Sequence, residues 1–467
     1  MKELILIKKC NKRICLLLTL QFVFVLTIFA QKWQPLFNGK NFSNWEKKNG
    51  TAEYLIDGDE IVGVSAMNTP NTFLCTKESF GDFILEFEAK VEPGLNSGVQ
   101  IRSLSTEEYK DGRVHGYQVE IDPSERAWSA GIYDEARRGW LYPLTRNPKG
   151  SKAFKNGVWN HFRVEAIGDH IDTWINGVQC ANLVDDMTSE GFIALQVHGI
   201  HSKEQEGLTV RWRGIRILTN DLEKYRTKDD PEVPEISWLK NELTTNEVRK
   251  GWRLLFDGET TNGWRRANDD HFPERGWMIN DGIITVEESG GGEARHGGDI
   301  VTEQEFSSFE LELDFMITEG ANSGIKYFVI EGINKGVGSA IGLEFQILDD
   351  KEHPDAKKGV EGNRTVGSLY DLIKAENLSE SNSNNKRFYG SGNWNKARLV
   401  VKGNHVEHWL NNIKLVEFER GSQIYRNLVA KSKYANYPNF GEAATGHILL
   451  QDHGNRVSFR SIKIREF

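Results

Sequence analysis

One strand of the sequence carries three polar side chains suited to proton transfer or to binding a sugar. In HGYQVEID, at 115–122, Gln118, Glu120 and Asp122 are spaced two residues apart, and side chains at that spacing on a strand point to the same face. Three polar groups on one face of an otherwise apolar strand predict a concave polar cleft. A strand whose face simply meets solvent would show the same pattern, so that interpretation stays open.

A second strand repeats this arrangement later in the chain. IGLEFQILDD, at 341–350, presents Glu344 and Gln346 in the same phase, with Asp349 just after them. Glu and Gln have therefore exchanged places between the two strands. A glutamate enclosed in such a cleft has a raised pKa and is a better general base.

A histidine stands at matching places in the two halves. His198 in QVHG and His453 in QDHG each lie two residues after a glutamine and directly before a glycine. A single histidine is usually structural, but its recurrence beside a polar strand favours a proton-transfer role. The sequence contains no HExxH, GxSxG, paired CxxC or phosphate-binding glycine motif, which argues against a zinc protease, a serine hydrolase and a nucleotide enzyme.

The stretch 126–142 is the richest candidate ligand surface of the first half. Trp128 and Trp140 have no partners in the second half and stand among groups that stack on sugars or hydrogen-bond to them. These neighbours are Arg126, Tyr133, Asp134, Glu135, Arg137 and Arg138. A purely structural network of arginines and carboxylates is the alternative interpretation.

The elements that must position these residues occur twice. LFNGKNFSNW at 36–45 matches LFDGETTNGW at 255–264, and four further blocks follow in the same order in both halves. One such pair is WNHFRVEAIGDHIDTWINGV and WNKARLVVKGNHVEHWLNNI. Five matched blocks in register indicate a duplicated domain.

Apolar residues alternate within the blocks, which indicates antiparallel strands, and Asn176 with Gly177 is typical of a tight hairpin. We therefore expect an all-β protein of two tandem sandwich domains, each a jelly roll of two stacked sheets. The domains are expected at 31–218 and 250–467, joined by a charged linker at 219–249, and each is expected to fold independently.

The second domain carries three insertions that the first lacks, near 289–298, near 378–392 and at 421–441. Long polar loops on a rigid sandwich are where function usually lies, so we expect these loops to enclose a substrate. Solvated decoration with little order is the alternative.

The first thirty residues have the layout of a secretory signal peptide. A basic stretch precedes an apolar run from Ile14 to Phe29, and the small residue Ala30 follows. The run is shorter than a membrane span requires. We expect cleavage after residue 30, export to the periplasm or the extracellular space, and no stable membrane span afterwards.

Charge and cysteine content narrow the partners and the redox chemistry. The segment 1–30 has five basic residues and one acid, so its removal would change the net charge from −9 to −13. Nucleic acid is therefore a poor partner. Only Cys75 and Cys180 would remain, which allows at most one disulfide, and the sequence leaves their pairing open.

The repeated blocks resemble the secreted β-sandwich family known as 3-keto-disaccharide hydrolases. In the first domain the resemblance rests on NSGVQIR, HGYQVEID, GIYDEARRGWL and QVHG, and in the second on NSGIKYF, LEFQILDD, HPDA, GSLYDLI and QDHG. It covers nearly all of the chain after residue 30. It implies a concanavalin-like jelly-roll fold and cleavage of glycosides whose sugar has been oxidised at carbon 3.

This resemblance suggests roles for the candidate residues. A ketone at carbon 3 acidifies the hydrogen on carbon 2 and places the glycosidic oxygen where it can be eliminated, before water adds. Such cleavage needs a base, an oxyanion stabiliser and an acid. Glu344 with His453, or Glu120 with His198, could serve as base and acid.

Further contacts follow from the same motifs. Lys326 or Arg102 could polarise the ketone, and a divalent cation held by Glu, Asp and His could do the same, although the sequence requires no cofactor. Gln346, Asp349 and Tyr370 are expected to bind the substrate in the second domain. We expect that domain to be the catalyst because its additional loops can enclose a sugar.

The expected ligand is a carbohydrate, and a sugar 3-oxidoreductase that makes the ketone would be a functional partner. Two alternatives remain. One is a non-catalytic, lectin-like protein that retains sugars at the cell surface, and the other is a conventional glycosidase that uses two carboxylates. One of the two domains could itself have become a binding module.

Overall fold

A computed structural model describes residues 33–294, 296–333, 336 and 338–467. The expected signal peptide at 1–30 lies outside the described residues. The described chain is built mainly of antiparallel strands, which confirms the all-β expectation. None of its helices is long and apolar enough to cross a membrane.

The first half folds as two sheets. Its strands are β1 (Gln34–Pro35), β2 (Trp45–Asn49), β3 (Glu53–Asp57), β4 (Glu60–Val64), β5 (Thr72–Phe80), β6 (Phe83–Val91), β7 (Ser97–Leu104), β8 (His115–Ile121), β9 (Ile132–Glu135), β10 (Gly139–Tyr142), β11 (Asn160–Ile167), β12 (His170–Ile175), β13 (Val178–Val184), β14 (Gly191–Val197), β15 (Thr209–Leu218) and β16 (Ile236–Ser237). The front sheet has the order β10-β9-β8-β7-β14-β5-β2. The back sheet has the order β16-β13-β12-β11-β6-β15-β4-β3, with β1 beside β15.

The second half repeats this plan. Its strands are β17 (Arg253–Leu254), β18 (Trp264–Arg266), β19 (Trp277–Asn280), β20 (Ile283–Val286), β21 (Ile300–Phe306), β22 (Phe309–Ile317), β23 (Asn322–Ile330), β24 (Ile341–Leu348), β25 (Asn395–Lys402), β26 (His405–Leu410), β27 (Ile413–Glu419), β28 (Gly446–Leu450) and β29 (Val457–Glu466). Here the front sheet is β18-β21-β28-β23-β24, and the back sheet is β19-β20-β29-β22-β25-β26-β27, with β17 beside β29.

Helix is confined to short segments of the described chain. Among the described residues the two α-helices are α1 (Thr245–Arg249) and α2 (Gln423–Ala430), and the 3₁₀ turns are Leu144–Arg146, Gly150–Lys152, Lys203–Gln205, Leu222–Lys224 and Pro354–Lys357. The helix α2 belongs to the insertion at 421–441. Each of these two α-helices has a threonine or serine at its N-cap, whose side-chain oxygen accepts a backbone N–H of the first turn.

The core lies between the two sheets of each half. In β6, Phe83, Leu85 and Phe87 are buried in the core, as their alternation predicts. Glu86, between them, lies on the opposite face and is bound there by Arg163 at 2.6 Å. Burying an aromatic or leucine side chain of this kind contributes about 1.5 to 3 kcal/mol.

The predicted hairpin is confirmed. Asn176 and Gly177, with φ of 51° and 80°, connect β12 to β13. Asn411 and Asn412, with φ of 47° and 64°, make the corresponding turn between β26 and β27. Asn and Gly tolerate positive φ at low steric cost, which is why a two-residue turn is possible here.

The segment expected to be a linker, 219–249, is packed against both halves. Its strand β16 pairs with β13, and buried Trp238 donates from Nε1 to the carbonyl oxygen of Leu141 at 3.2 Å. Glu247 in α1 binds Lys463 of the second half. The segment thus fixes the two sandwiches to each other.

Direct contacts also join the two halves. Arg146 of the first half reaches the back sheet of the second, 3.6 Å from Glu312 and 3.9 Å from Glu310. Thr145 donates from its hydroxyl to the carbonyl oxygen of Asn412 at 2.6 Å. Independent folding of the two halves stays a prediction, and it must hold despite the loss of these contacts.

Cys75 and Cys180 are free thiols, both buried. Cys75 belongs to β5 in the front sheet and Cys180 to β13 in the back sheet. The sulfur of Cys75 lies near the carbonyl oxygen of Phe73, and the sulfur of Cys180 lies near that of Gly150. The two sulfurs are not bonded to each other.

Candidate active site

The second half places an acid and a base opposite each other on its front sheet. Lys326 of β23 and Glu344 of β24 are direct partners in the antiparallel ladder, and such partners have Cβ atoms about 5 Å apart. Gly324, diagonal to Glu344, leaves the space that the carboxylate occupies, since a Cβ there would lie 2.4 Å from Oε1 of Glu344. The glycine of the NSG motif therefore lets Glu344 lie across the neighbouring strand.

Lys326 is held by two further carboxylates. Its Nζ is 3.4 Å from Oδ2 of Asp299, 3.4 Å from Oε1 of Glu293 and 3.2 Å from the carbonyl oxygen of Ala340. Burial favours the neutral amine, but the charges of Asp299, Glu344 and Glu293 outweigh it and raise the pKa of Lys326. Lys326 is therefore an ammonium ion at neutral pH.

Two carboxyl groups of this cluster have elevated pKa values, whereas for the third, Glu293, the charge and hydrogen bond of Lys326 outweigh burial and lower the pKa. Burial raises the pKa of Glu344, although the charges of Lys326 and Lys433 oppose it. Burial likewise raises the pKa of Asp299 to about 7, against the opposing charge of Lys326. A carboxylate whose pKa has moved toward neutrality is a more effective proton acceptor.

The glycine-rich insertion at 289–298 folds against the QDHG motif. The backbone N–H of Gly292 donates to the carbonyl oxygen of His453 at 2.8 Å. Buried Asp452 accepts the N–H groups of Gly297 and Gly298 at 3.1 and 2.8 Å. These bonds bring Glu293 to Lys326, so the expectation that this insertion helps to enclose the site has a structural basis.

His453 stands beside this cluster. Its Nδ1 is buried and has no hydrogen-bond partner in the described part of the chain, and its ring meets that of His353 edge to face, with centroids 6.2 Å apart. Burial lowers the pKa of His453, although the charge of Glu293 opposes this. The imidazole is therefore neutral at neutral pH and able to transfer a proton.

Tyr370 and Lys433 form a wall of the same site. The Tyr370 hydroxyl donates to Asp355 at 2.6 Å, and Nζ of Lys433 lies 4.0 Å from the centre of the Tyr370 ring, a cation–π distance. Burial lowers the pKa of Lys433. Sequence reasoning identified Tyr370 but missed Lys433, Asp299 and Glu293.

Two predicted ligands of the second half have structural partners. Asp349 accepts backbone N–H groups from Gly320 at 2.9 Å and Lys351 at 3.1 Å, so it stabilises a turn. Gln346 donates from Nε2 to Asn322 at 3.3 Å, while its buried Oε1 lacks a partner among the described residues. The structure does not bring Asp349 into the cluster around Lys326.

The first half has amides where the second has charges. Gln100 and Gln118 are ladder partners, at the positions equivalent to Lys326 and Glu344. Oε1 of Gln118 accepts from Gln100 at 2.6 Å and from Gln196 at 2.7 Å. On the front sheet of the first half, these three glutamines therefore form a neutral hydrogen-bonded network.

Glu120 extends that network. It accepts from Asn96 at 2.7 Å, Gln118 at 2.8 Å and Arg126 at 3.0 Å. Burial raises its pKa to about 7, and the charge of Arg126 opposes this. Asp122 accepts a hydrogen bond from the same arginine, Arg126, at 2.7 Å.

His198 lies at the rim of this network. Its Nδ1 is 2.7 Å from the carbonyl oxygen of Gly199. Burial lowers the pKa of His198, as it does for His453. The two histidines thus occupy equivalent places but differ in the partner of Nδ1.

The stretch 126–142 contains both a structural network of arginines and carboxylates and side chains that line a cleft. Trp128 and Trp140 are buried edge to face, with centroids 4.7 Å apart, and Arg126 stacks on both. Fully buried Asp134 binds Arg137 and Arg138 at 2.7 and 2.6 Å, which is a structural network. The residues of this stretch that also line an open cleft are Arg126, Tyr133, Glu135, Arg137, Arg138, Gly139 and Trp140.

Arg102 does not reach the cleft, contrary to expectation. Its guanidinium is buried and donates to the carbonyl oxygens of Gly81 and Gly168 and to Asp82, at 2.7 to 2.9 Å. A β-bulge explains the error, because Arg102 has φ of 45° and the register of β7 shifts there. The bulge ends the alternation that would have placed Arg102 on the same face as Gln100.

One group of side chains in the described part of the chain could hold a metal ion. It consists of His405, Glu407 and Glu417 on the back sheet of the second half. Lys414 already binds both glutamates at 2.9 Å. A divalent cation on the front sheet stays a prediction.

Comparison with known proteins matches one family model to both halves and finds relatives that each cover about half of the chain. The model of the 3-keto-alpha-glucoside-1,2-lyase-like domain matches residues 32–218 and 251–465. A 3-keto-disaccharide hydrolase from Bacteroides thetaiotaomicron is 37% identical over 235 residues, which are 46% of this chain and 78% of that protein. A solved structure from Parabacteroides distasonis, named "putative glycosyl hydrolase", is 31% identical and covers 49% of this chain and 100% of its own, with a TM-score of 0.42.

Proposed function

We infer the activity from the family and the site together: the chain belongs to the 3-keto-alpha-glucoside-1,2-lyase-like domain family, and we propose that its second domain cleaves 3-keto-glycosides. The observation that carries this proposal is the cluster of Lys326, Glu344 and Asp299 on the second front sheet. The first domain has neutral glutamines at the positions of Lys326 and Glu344.

The proposed reaction is an elimination followed by hydration. Glu344 accepts the proton from carbon 2, and the Lys326 ammonium stabilises the negative charge that develops on the carbon 3 oxygen. The bond from carbon 1 to the glycosidic oxygen then breaks as a double bond forms between carbons 1 and 2. The departing oxygen keeps the electron pair of the broken bond and takes up a proton, which neutral His453 accepts from the newly protonated carboxyl group of Glu344 and passes on. Water then adds at carbon 1, and a proton returns to carbon 2, so a free 3-keto sugar is released.

Three features of the site support these roles. The pKa of Glu344 is raised, which suits a base at neutral pH. Lys326 is charged and held from several sides, so it needs little rearrangement to stabilise an oxyanion. The insertions at 289–298 and 421–441 contribute Glu293, which contacts Lys326, and Lys433, which lies over the ring of Tyr370.

The cellular setting is part of the proposal. The signal-peptide layout of residues 1–30 supports export to the periplasm or the extracellular space. Because the substrate carries a ketone, an enzyme that oxidises a sugar at carbon 3 would have to act first.

Paired substitutions in the two domains test the assignment. Glu344→Gln and His453→Ala should each lower turnover of a 3-keto disaccharide by about 10² to 10⁴, with little change in melting temperature. The matched variants Glu120→Gln and His198→Ala should retain turnover. Full activity in both second-domain variants would contradict the assignment and move catalysis to the first domain.

A further inference from the structure

We propose that the cleft of the first domain is a separate, non-catalytic site for a neutral saccharide and that the second domain supplies one of its walls. This inference rests on the proposed function in one respect, since it takes the second domain to be the catalyst. The cleft has a volume of about 1140 Å³, which exceeds the 300 to 1,000 Å³ typical of small-molecule sites. It can therefore hold at least a disaccharide.

The insertion near 378–392 forms the second domain's wall of this cleft. Tyr389 donates from its hydroxyl to the carbonyl oxygen of Trp140 at 3.2 Å. The Arg387 guanidinium stacks on Trp128, 4.5 Å from the ring centre. Asn382 donates to Glu125 at 2.9 Å. The insertion thus closes a site in the other domain, and the front sheet of the first domain alone would leave that side open.

The charge balance of the cleft favours a neutral ligand. Every arginine that lines the cleft is ion-paired with a carboxylate, and the partner carboxylates, once Asp122 and Asp185 are included, are no fewer than the six arginines, which leaves little positive charge for an anionic sugar. These arginines are Arg113, Arg126, Arg137, Arg138, Arg387 and Arg460. Paired guanidinium and carboxylate groups are held in place, and they offer the fixed donors and acceptors that sugar hydroxyls require.

Buried polar atoms at the cleft lack a hydrogen-bond partner among the described residues. Oε1 of Gln196 and Nη2 of Arg137 are among them, and both side chains line the cleft. Gln196 is only 1% exposed. Leaving a buried polar group unpaired is unfavourable, and a hydrogen bond from a saccharide hydroxyl would offset this. Tyr133 and Trp394, both partly exposed in the cleft, offer ring surface on which a sugar could stack.

The hydrogen bonds of the cleft argue against catalysis there. Oε1 of Glu120 accepts from Asn96 and Arg126, and Oε2 accepts from Gln118. Both oxygens are therefore engaged, which makes Glu120 a positioned acceptor instead of a free base. Gln100, in the place of Lys326, has no charge with which to polarise a ketone. An unoxidised sugar suits this site as well as an oxidised one.

Isothermal titration calorimetry of the full chain with maltose and trehalose tests the proposal. We expect one molecule of at least one of these disaccharides to bind per chain, and Glu344→Gln to bind it with unchanged affinity while losing turnover of 3-keto substrate. Arg387→Ala and Tyr133→Ala should each weaken binding by roughly tenfold or more, because each removes a hydrogen-bonding or stacking group worth about 1.4 kcal/mol. Arg426→Ala is the matched control, since Arg426 is an exposed arginine of the second domain that pairs with Glu442.

The outcomes separate the two proposals. No binding of either disaccharide, or wild-type affinity in both cleft variants, would overturn the saccharide site. Loss of binding in Glu344→Gln would overturn it as well, because the bound sugar would then lie in the second domain. If Glu120→Gln loses turnover and Glu344→Gln keeps it, the assignment of catalysis to the second domain fails, and the claim that the first cleft is non-catalytic fails with it.

Discussion

Replacing Lys326 by methionine, which has similar length and no charge, is expected to slow turnover and to change its pH dependence. Lys326 lies 3.4 Å from both Asp299 and Glu293 and faces Glu344 across the ladder. Its charge holds down the pKa of Glu344 against the effect of burial. Without it the pKa of Glu344 rises, so the ascending limb of the profile of kcat/KM against pH should move to higher pH.

The magnitude follows from what the ammonium contacts. Removing a preorganised oxyanion donor typically costs about 10² to 10³ in kcat, or about 2.7 to 4 kcal/mol. Breaking a buried ion pair typically costs about 3 to 5 kcal/mol of stability. Asp299 can take up a proton when its partner is lost, since its pKa is already about 7. The loss of stability should therefore be smallest at acidic pH.

Steady-state kinetics on a 3-keto disaccharide from pH 5 to 9, together with thermal melts, provide the assay. Lys396→Met is the control because Lys396 is also buried and is bound to Asp314 at 2.8 Å, but on the back sheet. It should lose stability without a shift of the ascending limb. Wild-type kcat in Lys326→Met, or an ascending limb moved to lower pH, would refute the role of Lys326.

Three further predictions concern stability and local geometry. Burial raises the pKa of Glu120 to about 7 in the folded protein, so the folded state keeps a proton that the unfolded state releases near pH 4. The stabilising effect of this group is therefore full below about pH 4 and is lost by about pH 7. Melting temperatures should decline less over that pH range in Glu120→Gln than in the wild type, and an equal decline in both would contradict this. Cys75 and Cys180 should resist iodoacetamide in the native protein, because burial raises the pKa of both thiols. After denaturation without reductant both should react as free thiols, and failure of both to react would show a disulfide between them. Gly324→Ala should lower turnover, because the new Cβ would displace the carboxylate of Glu344. The matched variant Gly98→Ala, whose Cβ would lie 2.6 Å from the side chain of Gln118 in the first domain, should keep its turnover. Equal turnover in both variants would count against the second domain as catalyst.

The fold was largely readable from the sequence because the repeat and the alternation of apolar residues are local patterns. Gln118 and Glu344 were placed correctly on polar faces of their strands, since regular alternation holds through β8 and β24. Arg102 was misplaced because a bulge interrupts that alternation in β7. A positive φ at a non-glycine residue gives no clear signal in a single sequence.

The missing parts of the site depend on contacts between distant segments. Asp299 precedes β21 at a position where the first domain has Phe73, so the repeat gave no indication of it. Glu293 and Lys433 lie in insertions that have no counterpart in the first domain. The cross-domain wall made by Arg387 was equally hidden, because it depends on how the packed segment 219–249 fixes the two sandwiches.

The most direct test of the central claim is the fate of the hydrogen on carbon 2. The full chain is incubated in D₂O with a 3-keto disaccharide and, separately, with its unoxidised parent, and the released sugars are examined by mass spectrometry and NMR, with free 3-keto sugar in D₂O as the control for spontaneous exchange. The proposed elimination predicts cleavage of the keto disaccharide alone, with deuterium at carbon 2 of the product above that control. Equal cleavage of the unoxidised parent, with the original hydrogen retained at carbon 2, would contradict the account and indicate a conventional glycosidase.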